Sequence, residues 1–287
     1  MWYHHDIISC GVSGQKSAGE ARTSGIKEVL MSGIKIIFFD IDGTLIDMGK
    51  QISEKNTEML NRLKANGIKI CLATGRSPVS LPRFDGVSFD AFLTFNGSLC
   101  YNPSEIIFSS PISHEDVQKI IRNAANIGRP VAVASKDRLA ANGSDDDLAE
   151  YFSFSHSELK VAEDFESLSR EDIYQVMLGC RESDYDAILD GVSGAKVAAW
   201  WDRAVDIIPA SSGKGIGIRK MLEACHLDRS EAMAFGDGNN DIEMLMAVGT
   251  GIAMGNASPT LKAAADGICG HVAQDGIYHY LVQQGII

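Results

Sequence analysis

Two aspartates, Asp40 and Asp42, follow an unbroken apolar run at residues 36–39. A run of this kind predicts a strand that is buried on both faces, as in the interior of a parallel sheet. Residues two apart in extended backbone point the same way, and Gly43 allows a sharp turn behind them. Paired carboxylates at the end of a buried strand are costly unless a cation or a reaction uses them. For this short pattern alone, a solvated Asp-Gly turn remains the alternative.

A second acidic loop, residues 236–241, follows another apolar run at residues 232–235. It contains aspartates and asparagines, and its glycines make the backbone flexible. Such oxygen ligands suit a hard cation such as Mg²⁺. The loop lacks the later glutamate of an EF-hand and follows a strand, which argues against calcium sensing. Asp237 and Asp241 are therefore candidate metal ligands, and Asn240 lies between them in the chain.

Two further motifs offer groups that can bind phosphate. Thr74, Gly75 and Arg76 follow a second apolar strand and supply a hydroxyl, a flexible backbone amide and a guanidinium. Taken alone, Thr-Gly-Arg is also compatible with an ordinary strand-end turn. Lys214 lies in the first turn of a predicted helix, where its charge opposes the helix dipole unless an anion lies between them. That conflict favours a functional lysine.

Alternating strand and helix patterns place these motifs. Ser53 predicts the start of a helix that ends near Gly67, and its apolar stripe consists of Met59, Leu60 and Leu63. Strand, helix and strand with short links form a right-handed crossover, so the strands end at the same edge of one sheet. A third strand ends in Asn96 and Gly97, where a hairpin or exit turn is the plain interpretation.

The middle of the chain, residues 112–207, mixes short helices and strands and predicts a separate small α+β domain. Residues 145–147 are three consecutive aspartates, which cannot share one helix face. We interpret them as charges at a helix N-terminus rather than as a metal cluster. Trp200 and Trp201 are predicted to lie in a strand, one ring in the core and the other facing an interface or a ligand.

Composition limits the classes of function. The 287 residues are 45% hydrophobic and 22% charged, with a formal net charge of -12, which argues against a nucleic-acid or anionic-membrane partner. The six cysteines are scattered, which indicates a reducing cytoplasm. No apolar run reaches the roughly 18 residues of a membrane span. Residues 1–32 lack periodicity and predict a loosely ordered extension, with Met31 as a hypothetical physiological start.

The ordered motifs resemble the haloacid dehalogenase superfamily and, more narrowly, its Cof-type phosphatases. The motifs that carry the resemblance are Asp40-Ile41-Asp42-Gly43-Thr44, Thr74-Gly75-Arg76, Lys214-Gly215 and Gly236-Asp237-Gly238-Asn239-Asn240-Asp241. Between Asp40 and Thr74 lie 33 residues (41–73), whereas 139 residues (75–213) separate Thr74 from Lys214. An insertion only in the second gap corresponds to the family's type II cap, and the order of its elements corresponds to subclass B.

This resemblance implies an α/β fold, with a Rossmann-like doubly wound parallel sheet as its core and an inserted α+β cap domain. We expect the catalytic core at residues 33–111 and 208–287, the cap at 112–207, and the extension at 1–32. Such a cap closes over the sheet edge, excludes water and supplies contacts that set specificity.

The resemblance also implies roles for individual residues. Asp40 would be the nucleophile that forms an aspartyl-phosphate, and Asp42 the general acid and base. The implied Mg²⁺ ligands are the Asp40 side chain, the Asp42 backbone carbonyl, Asp237 and Asp241. The implied phosphate-binding residues are Gly43, Thr74, Gly75, Arg76, Lys214 and Asn240. The implied substrate contacts are Asn96 and Gly97.

Three functions fit these residues. The leading one is a Mg²⁺-dependent phosphatase for small phosphorylated metabolites, of the sugar phosphate, flavin mononucleotide or pyridoxal phosphate class. We expect it to act in the cytoplasm as a monomer or homodimer. The second is a phosphotransferase or mutase, which the large later cap and the absence of an insertion just after Asp40 make weaker. The third is a non-catalytic regulator that binds phosphorylated metabolites, against which the intact Asp40, Asp42, Lys214 and Asp237 argue.

Overall fold

The larger of two sheets carries the strand that the first apolar run predicts. The computed structural model describes residues 33–47, 51–154, 158–199 and 201–287, so the predicted extension at 1–32 lies outside the described residues. The strands of this sheet, in chain order, are β1 (Ile36–Phe39), β2 (Lys69–Ala73), β3 (Ala91–Thr94), β4 (Leu99–Tyr101), β5 (Ile106–Ser109), β11 (Ala232–Gly236), β12 (Thr250–Ala253) and β13 (Gly267–Ile268).

The strand order in this sheet is β13-β12-β11-β1-β2-β3-β4-β5. The pairs from β13 to β3 are parallel, and β4 and β5 extend the sheet in antiparallel fashion. Every residue of β1 is buried, because parallel neighbours flank the strand and its side chains pack into the core on both faces. The predicted α/β fold with a central parallel sheet is confirmed.

Among the described residues, the α-helices in chain order are α1 (Glu54–Ala65), α2 (His114–Asn126), α3 (Asp146–Phe154), α4 (Phe165–Leu168), α5 (Tyr185–Ile188), α6 (Lys214–Cys225), α7 (Ile242–Ala247), α8 (Pro259–Ala264) and α9 (Gly276–Gln283). In that described part of the chain, no helix combines the length and the apolar composition that crossing a membrane would require.

Helix α1 begins where the sequence predicts. The Ser53 hydroxyl accepts a hydrogen bond from the backbone amide of Asn56 at 3.1 Å, which satisfies one of the free amides of the first turn. Gly67 follows the helix with φ +76°, a backbone region that favours glycine. The apolar stripe is buried against the sheet through Met59, Leu60 and Leu63. The crossover β1-α1-β2 therefore brings the ends of β1 and β2 to one sheet edge.

The second sheet is antiparallel and lies between β5 and α6 in the chain. Its strands are β6 (Val131–Ala134), β7 (Leu139–Ala141), β8 (Gln175–Gly179), β9 (Ala195–Ala198) and β10 (Ala204–Pro209), in the order β7-β6-β8-β10-β9. One apolar cluster joins this sheet to the larger one, with the rings of Phe95 and Tyr174 stacked at 5.1 Å. This is the inserted α+β unit that the sequence predicts. Its boundaries at 112 and 207 stay a prediction, and β10 itself continues to Pro209.

One local prediction is wrong, and a second is right but incomplete. Trp201 is not in a strand, because β9 ends at Ala198 and Trp201 lies in the bend before β10. Its half-buried ring lies 4.5 Å from the Arg203 guanidinium carbon. Trp200 lies outside the described residues. The aspartates 145–147 do begin a helix, but they also form ion pairs: Asp147 contacts Arg181 at 3.0 Å, so arginines as well as the helix dipole stabilise these charges.

Candidate active site

The two acidic motifs lie side by side because β1 and β11 are parallel neighbours. Phe39 pairs with Phe235, so Asp40 and Asp237 leave the sheet at its carboxyl edge. On the other side of β1, strand β2 brings Thr74 to the same edge. In open α/β sheets this edge is where ligands bind.

Lys214, the first residue of α6, is buried between two carboxylates. Its Nζ donates to Oδ1 of Asp40 at 2.6 Å and to Oδ1 of Asp241 at 2.5 Å, and the residue is 1% exposed. Oδ2 of Asp241 accepts hydrogen bonds from the backbone amides of Asp237 and Gly238. The conflict between a lysine and the helix dipole is therefore relieved by anions next to the ammonium.

Burial shifts the pKa values in this cluster. It raises the pKa of Asp40 well above its ordinary value, although the charge of Lys214 acts in the opposite direction. Burial, together with the nearby charge of Asp241, raises the pKa of Asp237 to about 6. For Lys214, burial acts to lower the pKa, but the carboxylates of Asp241 and Asp40 outweigh it and the pKa is raised. The cluster therefore contains more negative charge than one ammonium can stabilise.

Three carboxylates of this cluster lie close enough together to hold a metal ion. Among the described residues, Asp40, Asp237 and Asp241 form the group whose ligand oxygens lie within 4.8 Å of one another. Carboxylate oxygens suit a hard divalent cation such as Mg²⁺, and a cation would relieve the excess negative charge. The donor set therefore fits Mg²⁺. The side chain of Asp42 is not part of this group.

Asp42 instead forms a two-pronged ion pair with Arg76. Nε and Nη2 of Arg76 each donate to one carboxylate oxygen of Asp42 at 2.7 Å, and Nη1 donates to the Ser80 carbonyl at 3.0 Å. The sequence predicts Arg76 as a phosphate ligand, but here the guanidinium is already bound to a protein carboxylate. The pair was missed because the two residues were assigned separate roles. Arg76 thus fixes the orientation of Asp42.

The turn after Asp42 is fitted to the second acidic loop. Gly43 has φ +81°, and a Cβ there would lie 2.2 Å from Oδ2 of Asp237, so the position requires glycine. Thr44 Oγ1 donates to Oδ1 of Asp237 at 3.0 Å. Asn256 Nδ2 donates to the Gly43 carbonyl at 2.8 Å. Gly43 therefore acts by allowing the turn to pack closely against Asp237. Thr44 holds the Asp237 carboxylate in position, a role that the sequence analysis did not assign to it.

The remaining predicted ligands divide into two groups. Thr74, Gly75, Asn96 and Asn240 line one cavity with the acidic residues. Asn240 Nδ2 donates to Oδ1 of Asn96 at 3.4 Å, so the two carboxamides contact each other in the wall of the cavity. Gly97 is different: its position is buried, and a Cβ there would lie 2.5 Å from the Gly213 carbonyl oxygen. The structure gives Gly97 a packing role next to the loop before Lys214.

This cavity has a volume of about 630 Å³ and lies between the two sheets. Its floor is the carboxyl edge of the larger sheet, with Asp40, Asp42 and Lys214. Its other wall comes from the antiparallel sheet and α3, with side chains that include Tyr151, Phe152, Gln175, Met177, Asp206 and Ile208. The acidic centre therefore opens into a space that residues of the inserted unit enclose.

Asp206 is the acidic residue that this wall places in the cavity. It lies in the middle of β10, is 4% exposed, and accepts a hydrogen bond from the Tyr151 hydroxyl at 2.5 Å. Burial raises its pKa to about 6, and hydrogen bonds from Tyr151 and Gln175 lower it only in part. The sequence analysis missed Asp206. The available signal was an aspartate, which is rare in strands, inside the otherwise apolar β10.

We expect Asp206→Asn to stabilise the protein, and to do so more at higher pH. Because the pKa of Asp206 is higher in the folded protein than in the unfolded chain, ionising it costs folding free energy. The wild type therefore has its full stability below the unfolded pKa of about 3.8 and loses part of it as the pH rises through about 6. At pH 8 this difference between the folded and unfolded pKa of Asp206 lowers the free energy of unfolding by about 3 kcal/mol. The stability gained by the variant at pH 8 should exceed its gain at pH 5 by about 1 kcal/mol. Urea unfolding at both pH values measures this, and equal gains would contradict it.

Comparisons with known proteins agree with this geometry. Residues 37–281 match the family of haloacid dehalogenase-like hydrolases. YkrA of Bacillus subtilis (strain 168), named as a candidate phosphatase, is 30% identical over 255 residues, which cover 88% of this chain and 98% of YkrA. YitU of the same organism, named as a 5-amino-6-(5-phospho-D-ribitylamino)uracil phosphatase, is 28% identical over 86% of this chain and 96% of its own length.

Among solved structures, BT4131 is described as a sugar phosphatase of subclass IIB of this superfamily. It superposes with a TM-score of 0.78 at 29% identity, covering 88% of this chain and 100% of BT4131. The family match spans both acidic motifs, Lys214 and the inserted unit between them. The chain therefore belongs to the haloacid dehalogenase-like hydrolases, with the subclass IIB architecture that its sequence resembles.

Proposed function

We propose that this chain, a phosphatase of the haloacid dehalogenase superfamily, hydrolyses small phosphorylated metabolites with Mg²⁺ through an aspartyl-phosphate on Asp40. The observation that carries the proposal is the cluster of Asp40, Asp237 and Asp241 at the floor of the cavity, where the ammonium of the buried Lys214 contacts Asp40 and Asp241. Acidic residues gathered around an ammonium in a cleft are poised for transfer of an anionic group.

The groups that would hold Mg²⁺ are the side chains of Asp40, Asp237 and Asp241, together with the backbone carbonyl of Asp42. When bound, the ion would supply positive charge that offsets the phosphoryl oxygens and the attacking carboxylate. Thr44 would keep Asp237 in place through its hydrogen bond to Oδ1. Lys214 would screen Asp40 from the incoming dianion, because its ammonium already contacts that carboxylate.

The reaction would proceed in two displacements at phosphorus. A carboxylate oxygen of Asp40 attacks phosphorus and the ester oxygen leaves, taking a proton from Asp42. In the second displacement Asp42 removes a proton from water while the water oxygen attacks phosphorus, which releases inorganic phosphate and restores Asp40. Both steps require the Asp42 carboxylate to turn from Arg76 toward the reacting oxygen. Arg76 is then free to contact an oxygen of the substrate.

The size of the cavity supports a small substrate. A volume of about 630 Å³ suits a metabolite. Sugar phosphates, flavin mononucleotide and pyridoxal phosphate are of this size class, and the named activities of YitU and BT4131 also concern small phosphate esters. We propose a cytoplasmic enzyme, monomeric or homodimeric, without a nucleic-acid partner. The five free cysteines among the described residues fit a reducing compartment.

A panel of phosphate monoesters tests this function. We expect turnover with Mg²⁺ on several small esters, loss of that turnover after exhaustive treatment with EDTA, and recovery when Mg²⁺ is restored. The release of inorganic phosphate is the measurement. Full activity in EDTA would contradict the metal requirement. Binding of phosphorylated metabolites without any turnover across the panel would favour the regulator interpretation instead.

A further inference from the structure

Asp206 occupies the centre of the cavity wall that faces the acidic site. In the antiparallel sheet it pairs with Met177 of β8 on one side and with Ala198 of β9 on the other. All three residues line the cavity that also contains Asp40. A buried carboxylate in the middle of a sheet face is costly, so its position calls for a partner.

The hydrogen-bond partners of Asp206 are both neutral. The Tyr151 hydroxyl and the Gln175 amide donate to its carboxylate. A carboxylate accepts about four hydrogen bonds, so acceptor capacity remains. Among the residues that the structure describes, no lysine, arginine or histidine nitrogen lies within 4.0 Å of it. Asp147 of the same unit differs from Asp206 in this respect, because the guanidinium of Arg181 pairs with its carboxylate at 3.0 Å.

The cations that line the cavity do not supply the missing charge. Lys214 is bound to Asp40 and Asp241, and Arg76 is bound to Asp42. Lys196 also lines the cavity from the edge strand β9, but among the described residues its Nζ forms no ion pair with Asp206 within 4.0 Å. A positive group that enters with the ligand would therefore meet a buried carboxylate that no cation in the described part of the chain pairs with. Since the phosphoryl group belongs at Asp40, this positive group belongs to the leaving group.

We propose that Asp206 binds a protonated amine on the leaving group, so that the preferred substrates are phosphate monoesters of amino alcohols or amino sugars. This inference rests on the proposed phosphatase function and adds the substrate class. Tyr151 and Gln175 orient the carboxylate, while Phe152, Met177 and Ile208 offer apolar surface to the carbon skeleton of the leaving group. The site favours an ammonium over a hydroxyl because both can donate a hydrogen bond to the Asp206 carboxylate, but only the ammonium also neutralises its buried charge.

Matched pairs of substrates test this assignment. D-glucosamine 6-phosphate is compared with D-glucose 6-phosphate, and 2-aminoethyl phosphate with 2-hydroxyethyl phosphate, in the full-length enzyme with Mg²⁺ at neutral pH. The two substrates of each pair have nearly the same size and shape. The ratio of their kcat/KM values therefore measures the preference for the amine. For the wild type we expect the amine to be preferred at least about tenfold in one or both pairs.

The variants separate Asp206 from the rest of the site. Asp206→Asn keeps the shape and should reduce the amine preference about tenfold or more, mainly through KM of the amine substrate. The matched control is Asp164→Asn, an exposed aspartate of the same inserted unit that pairs with Arg138, and it should keep the wild-type ratio. An unchanged ratio in Asp206→Asn, or a wild type that prefers the hydroxyl compounds, would overturn the assignment while the phosphatase function stands. Absence of turnover on all monoesters would overturn both.

Discussion

Replacing Asp40 by asparagine is expected to lower kcat by roughly 10⁴-fold or more, because the carboxamide cannot attack phosphorus as a carboxylate does. The substitution keeps the shape of the side chain, and its carbonyl oxygen can still accept the hydrogen bond that Lys214 Nζ donates at 2.6 Å. Steady-state release of phosphate measures the loss. Single turnover, quenched in acid and followed by borohydride reduction, should modify Asp40 in the wild-type chain and leave the variant unmodified.

Two measurements separate lost chemistry from lost structure in this variant. Burial raises the pKa of Asp40, so the ionised carboxylate costs folding free energy at pH 8 and its removal should leave stability equal or higher. Asp85→Asn serves as the control, because Asp85 is exposed and lies away from the cavity; its kcat should match the wild type. Near-normal turnover in folded Asp40→Asn would refute the assignment of the nucleophile.

The parts of the fold that the sequence predicts are those that local patterns determine. An unbroken apolar run specifies the buried β1, and a serine before a 3.6-residue apolar period specifies the start of α1 at Glu54. The handedness of the crossover then places the ends of β1 and β2 together without knowledge of any distant contact. Trp201 shows where this reasoning fails, because aromatic residues favour strands statistically and yet Trp201 lies in a bend.

The candidate site divides in the same way. Asp40, Asp237 and Lys214 could be predicted because each follows a recognisable strand end or begins a helix. The ion pair between Asp42 and Arg76 could not, since both residues lie at the same edge and only the side-chain directions decide which groups meet. Asp206 had no motif around it. Its importance arises from tertiary structure, which buries it and turns it toward the cavity.

Replacing Lys214 by methionine is expected to destabilise the metal-free protein by about 3 kcal/mol or more at pH 8. Methionine fills a similar volume, but it leaves Asp40 and Asp241 buried without the ammonium that contacts both. The loss should be smaller at pH 5, because protonation of Asp40, whose pKa burial already raises, relieves the repulsion. Urea unfolding in the presence of chelator at both pH values measures the effect.

Turnover in Lys214→Met should fall by at least about 10²-fold even with Mg²⁺, since one positive charge next to the nucleophile is lost. Lys220→Met is the matched control: Lys220 lies on the same helix α6, is exposed, and in the part of the chain that the structure describes it pairs with the exposed Glu223 at 2.8 Å. An exposed pair of this kind contributes little, so the control should change stability by less than about 0.5 kcal/mol. If both variants unfolded alike, the ammonium of Lys214 would not be what stabilises the buried carboxylates, and its contacts with Asp40 and Asp241 would not persist in solution.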